Sequence, residues 1–196
     1  MPIKQAAATI AASVLLLSAC STPEPEPAAN PITPTRAAHN DAPSVRTPLN
    51  TERFQRDPCA VLTEVQAVAL RLNPRGENTE NPLAPQCSWS NDIELTNFAL
   101  HFNTANPKGL QNLYDKKRDD NEIHLERIPD IQDHPAIIFT STPELLSKGE
   151  CGIAVGVSDQ LTFAVTNSIP DGPERAHPCE SARKFADAVL TTMKKG

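Results

Sequence analysis

Ser181-Ala182-Arg183-Lys184 has the Ser-x-x-Lys spacing in which a lysine one helical turn away can activate a serine nucleophile. That chemistry also uses Ser-Asp-Asn and Lys-Thr-Gly elements, which the chain lacks, so both side chains are expected on the solvent face of a helix. The histidines, His39, His101, His124, His134 and His177, are scattered and form no paired metal spacing. His101 falls on the outward side of its strand by alternation and is expected to be exposed or at a strand edge. Asp130 and Asp133 flank a turn; a calcium loop would supply several more oxygen ligands in sequence, so turn capping is the expectation. Trp89 could stack on a sugar, but its place beside Cys87 predicts a core tryptophan packed near a disulfide. The seven glycines are isolated, which excludes a phosphate-cradling loop. No catalytic residue, metal or cofactor follows from these residues, and the expectation is a protein that is not an enzyme.

The five cysteines carry more information. Leu17-Ser18-Ala19-Cys20 closes a short apolar run, Ala6 to Leu17, preceded by a single positive charge at Lys4. The run is too short to span a bilayer as a helix and has the layout of a secretory signal. A leucine three positions before a cysteine, with small residues between, resembles the lipobox of bacterial lipoproteins. The resemblance implies a signal peptide over residues 1–19, a diacylglyceryl group on Cys20, and anchoring to the extracytoplasmic face of the cell membrane. With Cys20 so used, Cys59, Cys87, Cys151 and Cys179 remain as an even set in an oxidising compartment, where two disulfides are the simplest outcome. The four allow three connectivities; Cys59 with Cys87 and Cys151 with Cys179 are preferred, because each closes a local loop of 28-residue separation. Zinc is disfavoured, since no two of these cysteines lie two to four residues apart.

Residues 20–51 read as a lipidated, proline-rich tether. From Ser21 to Asn50 there are seven prolines, no glycine and no aromatic, too little apolar surface to offset the entropy of ordering. Fully extended at ~3.1 Å per residue, the tether would reach on the order of 90 Å. All eight aromatics fall between Phe54 and Phe185, which places one domain over residues 52–196. That segment carries fifteen Lys and Arg against twenty-one Asp and Glu, giving it the whole chain's net charge of −6. Nucleic acid is therefore not an expected partner. Lys116, Lys117 and Arg118 are followed at once by Asp119 and Asp120, so they do not grip anionic lipid. Within the charged run Asp115 to Glu122 they could offer a docking surface to an envelope protein, as could the polar Ile169 to His177 loop.

The elements that must position these residues follow from periodicity. Thr63-Glu64-Val65-Gln66 reads as a capping box for a helix to about Leu72, with Val65, Val68, Ala69 and Leu72 as its buried stripe. Asn73 to Pro85 reads as a loop. Cys87 and Trp89, then Phe98, Leu100 and Phe102, alternate with small or polar residues and predict a hairpin turning at Asn91-Asp92. Its parity slips after Leu95, which predicts a bulge near Thr96-Asn97. Asn106-Pro107 would open a second helix with Leu110, Leu113 and Tyr114 on its apolar side. Strands at Ile123 to Ile128 and Ala136 to Thr140 would flank a proline-bearing turn, and a helical turn opened by Thr142-Pro143 would stop at Gly149. Alternation returns at Cys151 to Val157 and Leu161 to Val165. Ala182, Phe185, Ala186, Val189, Leu190 and Met193 then recur at helical spacing from about Cys179 to Lys194. This order predicts an α+β single domain: an antiparallel sheet, helices packed on one face, and two disulfides.

With those residues in hand, the chain resembles the actinobacterial lipoproteins grouped as domain of unknown function 3558 (DUF3558). The shared features are the lipobox, Asp57-Pro58-Cys59 before Leu62-Thr63, Cys87-Ser88-Trp89, a cysteine opening a late strand and another before the final helix. His177 departs from the acidic residue usual before the proline. The resemblance implies export, lipidation and a disulfide-bonded domain, and no activity. The resulting expectation is an anchored interaction or accessory module, the alternative being a binder of a small apolar ligand between sheet and helices. Replacing Cys20 with alanine is predicted to abolish lipid labelling and free the folded domain from the membrane fraction. Retention of that variant on membranes after a salt wash would overturn the anchoring assignment.

Overall fold

The chain's last sixteen-residue helix and the sheet beneath it account for most of the buried surface. The computed structural model describes residues 41–79, 84–120 and 122–196. The expected signal peptide, Cys20, His39 and the first part of the expected tether lie outside the described residues. Helix α5 (Pro178–Met193) starts on a proline, whose missing N–H costs nothing in a first turn, with Glu180 at the helix's positive end. Its six predicted apolar residues are all buried. They press on strands β2 (Gln86–Asn91), β3 (Thr96–Phe102), β5 (His134–Thr140), β6 (Glu150–Ser158) and β7 (Leu161–Ser168). With β1 (Glu77–Thr79) and β4 (His124–Ile131) these make one antiparallel sheet of seven strands, ordered β1-β2-β3-β7-β6-β5-β4. Phe185 stacks on Phe98, with centroids 5.0 Å apart, and meets Trp89 edge-on at 5.3 Å. Both disulfides have the local pairing, Cys59–Cys87 and Cys151–Cys179. Trp89 is a core residue, as expected.

Helices α1 (Glu52–Arg56) and α2 (Glu64–Ala69) contribute Phe54 and Ala67 to the same core, and the one-turn α4 (Glu144–Ser147) packs Leu146 against it. A smaller cluster lies on the other face, where α3 (Gln111–Asp119) and the residue before it bring Leu110, Leu113 and Tyr114 against Ile137 and Ala154. That face of β6 carries Gly152, Ala154 and Gly156, and the absence of bulk there admits a covering segment. The segment is residues 42–50. Val45 N–H donates to Asp159 Oδ1 at 2.8 Å and Leu49 N–H to Val157 O at 2.9 Å. A Cβ on Gly156 would lie 2.8 Å from Val45 Cγ2, so only glycine allows the approach. Residues 42–50, assigned to the tether by composition, are thus a strap on the sheet, and the folded part begins earlier than residue 52.

Several local expectations change for identifiable reasons. No bulge occurs at Thr96-Asn97: the β2–β3 register runs unbroken from Gln86↔His101 to Asn91↔Thr96. The parity slip is absorbed one residue earlier, by Leu95 at φ 53°. Helix α3 begins at Gln111 rather than Pro107, because Gly109 takes φ 53° and interrupts the turn; a side chain there would meet Asp159 O at 2.6 Å. The β4–β5 turn is the pair Gln132-Asp133, both at positive φ as a tight hairpin requires, and it contains no proline. Pro129 lies inside β4, at an edge and beside a register shift, where a missing N–H is tolerated. Asp130 stands near Arg46 at 3.9 Å instead of capping that turn. Ile169 is buried, so the 169–177 segment is exposed only beyond it. Glu77–Thr79 pairs with β2 inside what read as a loop.

Because Val45 is buried with its Cγ2 against Gly156, Val45→Asp is predicted to lower unfolding free energy by about 2 kcal/mol. Urea melts of the purified chain measure this, and an unchanged midpoint would return residues 42–50 to the tether.

Candidate functional site

Two surfaces stand out once the core is accounted for. The first is a cleft of ≈630 Å³ where β3, the 103–108 segment and α3 meet. Its walls include His101, Asn103, Lys108, Asn112, Asp115 and Lys116. His101 is half-buried and lies on a strand flanked by partners on both sides, not at an edge. Alternation read its face correctly but could not see that α3 would cover that face. Burial, and then the positive charge of Lys116, push its pKa below the ordinary 6.5 and favour the neutral ring. Asp115 accepts hydrogen bonds from Lys108 Nζ at 2.8 Å, Gln111 Nε2 at 3.1 Å and Arg118 Nη2 at 2.6 Å. These donors, Lys108 first, hold its carboxyl well below the usual carboxylate range. Gln111 Oε1 also accepts from Ala42 N–H, and Arg118 approaches Asp41 at 3.8 Å, so the same cluster fastens the strap.

The basic trio singled out in the sequence is therefore divided. Arg118 is engaged by Asp115 and Asp41, whereas Lys116 lines the cleft and makes no ion pair with a described residue. Asn112 is 5% exposed; its Nδ2 donates to Asn106 O at 2.8 Å, and its Oδ1 has no donor. Periodicity gave no signal for this buried amide.

The second surface is apolar. Val65 (80% exposed), Val68 (59%), Ile93 (94%) and Leu95 (71%) are the exposed large hydrophobics among the described residues. They lie on α2 and on the turn between β2 and β3, the two being pinned together by an Arg71–Glu94 ion pair and by Asn91 Nδ2 on Arg71 O at 2.7 Å. The predicted buried stripe of α2 is thus reversed at Val65, Val68 and Ala69 and holds at Leu72. The capping box does form, with Thr63 Oγ1 accepting from Gln66 N–H and Gln66 Oε1 from Thr63 N–H. Gln66 also donates from Nε2 to Ala188 O and accepts from Thr192 Oγ1, which turns its own face towards α5. Ala67 and Leu72 are buried in consequence; Val65, Val68 and Ala69 face out. Beside them a groove of ≈170 Å³ is lined by Leu70, Arg71, Glu94, Phe98, Ser181 and Lys184. No hydrogen bond joins Ser181 to Lys184.

The other candidates stay apart. His134 is buried with Nδ1 2.9 Å from Gly156 O, and burial lowers its pKa; His124 and His177 stand 3.8 and 3.9 Å from Glu126 and Glu180. Among the described residues, no three His, Cys, Asp or Glu side chains converge to hold a metal, and no helix is long and apolar enough to cross a membrane.

Together these features define a disulfide-stapled α+β domain with a hydrophobic core under α5, a polar cleft and an apolar corner. The chain belongs to the family described as "Protein of unknown function (DUF3558)", whose model matches residues 15–192. No curated protein and no solved structure matches the chain.

Since the fold holds His101 neutral, the unfolded chain binds that proton more readily. The resulting stability is complete above the ordinary histidine pKa and is lost as pH falls through it towards the lower folded value. Lys116→Gln is predicted to raise the His101 pKa in an NMR titration; an unmoved titration would contradict the cleft's electrostatics.

Proposed function

We propose that this chain is a membrane-anchored extracytoplasmic lipoprotein, held through Cys20, that works as an interaction module by docking a protein partner on the corner formed by α2 and residues 92–95. The observation that carries the reading is the grouping of the four exposed large hydrophobics on two elements pinned together. An apolar patch left in water forgoes roughly 25 cal/mol per Å², and such patches characteristically mark interfaces. The rim is acidic: Asp92, Glu94 and Glu174 stand against Arg71 and Lys184 around the turn and groove. A chain of net charge −6 with such a rim fits a partner that presents apolar side chains flanked by basic ones.

The alternative, a small apolar ligand held between sheet and final helix, finds less support. Trp89, Phe98, Leu100, Phe163, Phe185 and Leu190 already occupy that space. Engagement of Arg118 by Asp115 and Asp41 favours the apolar corner over the basic end of α3 as the docking surface.

In-cell cross-linking of the anchored protein tests this. A partner captured by the native chain is expected to fall at least ~10-fold with Val68→Glu plus Leu95→Glu, while Lys195→Glu retains it; both substituted sites are exposed, so the melting temperature should hold. Retention of the partner by the corner variant would overturn the proposal.

A further inference from the structure

The cleft above α3 has the size and the unmet bonding capacity of a ligand site. At ≈630 Å³ it lies within the range of about 300–1,000 Å³ typical of small-molecule pockets. Two of its groups lack a partner among the described residues, and a third is free to bond a ligand in either sense. Among the described residues the Lys116 ammonium pairs with no carboxylate, and Asp115 is taken by Lys108 and Arg118. Asn112 Oδ1 is buried without a donor among the described residues, an unmet acceptor that costs stability until something donates to it. The amide cannot be turned over to relieve this, since Asn106 O already fixes which end is nitrogen. His101, kept neutral, offers one donor and one acceptor nitrogen on the same floor.

We propose that this cleft binds a small polyhydroxylated monocarboxylate, a sugar acid, with its carboxylate on Lys116 and its hydroxyls on Asn112 and His101. One unpaired cation beside two wall carboxylates, Asp115 and Asp119, suits a single negative charge. A dianion such as phosphate would leave charge unmatched against those carboxylates, whereas hydroxyl groups can donate to them. An uncharged sugar would satisfy Asn112 and leave Lys116 without its partner. The inference is independent of the apolar corner, which shares no residue with the cleft.

The test is isothermal titration of the full lipidated chain in detergent micelles with sodium glucuronate, glucose and inorganic phosphate as separate probes. Saturable glucuronate binding is expected, at least ~10-fold weaker for glucose and for phosphate, and at least ~10-fold weaker with Lys116→Gln. Lys116 is exposed on α3, so that variant keeps the fold. Asn112→Ala should weaken binding similarly, and because this buried residue could disturb α3, the His101 ring resonances of the native chain provide a second readout that should shift on titration. Glucuronate binding should survive Val68→Glu plus Leu95→Glu unchanged. No saturable heat up to ~10 mM, phosphate binding more tightly than glucuronate, or equal binding by Lys116→Gln would each overturn the assignment.

Discussion

The fold depends on how α5 is held on the sheet. Phe185 enters between Phe98 and Trp89, and full burial of such a ring contributes about 1.5–3 kcal/mol by area alone. The helix start is fixed twice. Cys179 is bonded to Cys151 at the head of β6, and Asn167 on β7 accepts from Cys151 N–H at 2.9 Å while donating to Pro178 O at 2.7 Å. A buried amide with both ends satisfied ties two strands and a helix terminus at one point, and no apolar residue could make that connection. Each disulfide closes a 28-residue separation, worth roughly 3–4 kcal/mol through the entropy removed from the unfolded chain. Covalent and polar restraints thus set the position, and the aromatic cluster fills it.

This arrangement decides where recognition can take place. Aromatic and aliphatic side chains pack under α5, and the polar cleft and the groove beside the apolar corner lie at the periphery. Pinning α2 by Gln66 to α5 exposes Val65 and Val68. Covering β3 with α3 converts the outward His101 into a cleft residue. Both outer surfaces are therefore consequences of how the helices are fastened, and they lie on separate residues. The start of the strap is fastened beside α3, with Asp41 near Arg118 and Ala42 N–H donating to Gln111 Oε1.

What the sequence by itself determined was whatever local periodicity and covalent counting control. Alternation at Cys87 to Phe102 and Cys151 to Val165 fixed the central strands, and the 3.6-residue spacing of Ala182 to Met193 fixed α5, because each pattern can bury its bulk in only one way. The count and spacing of cysteines anticipated the pairing. The capping box at Thr63 was also legible, as it is made within four residues. What only the tertiary structure decided were features resting on long-range contacts. The orientation of α2 rests on Gln66 meeting Ala188 and Thr192, far along the chain, and its apolar spacing alone pointed the wrong way. Residues 42–50 look like any proline-rich linker until Gly156 leaves a place for Val45. The cleft joins β3 to α3, with Asn112 silent in any hydropathy pattern, since a buried amide is distinguished only by the neighbours that do or do not satisfy it.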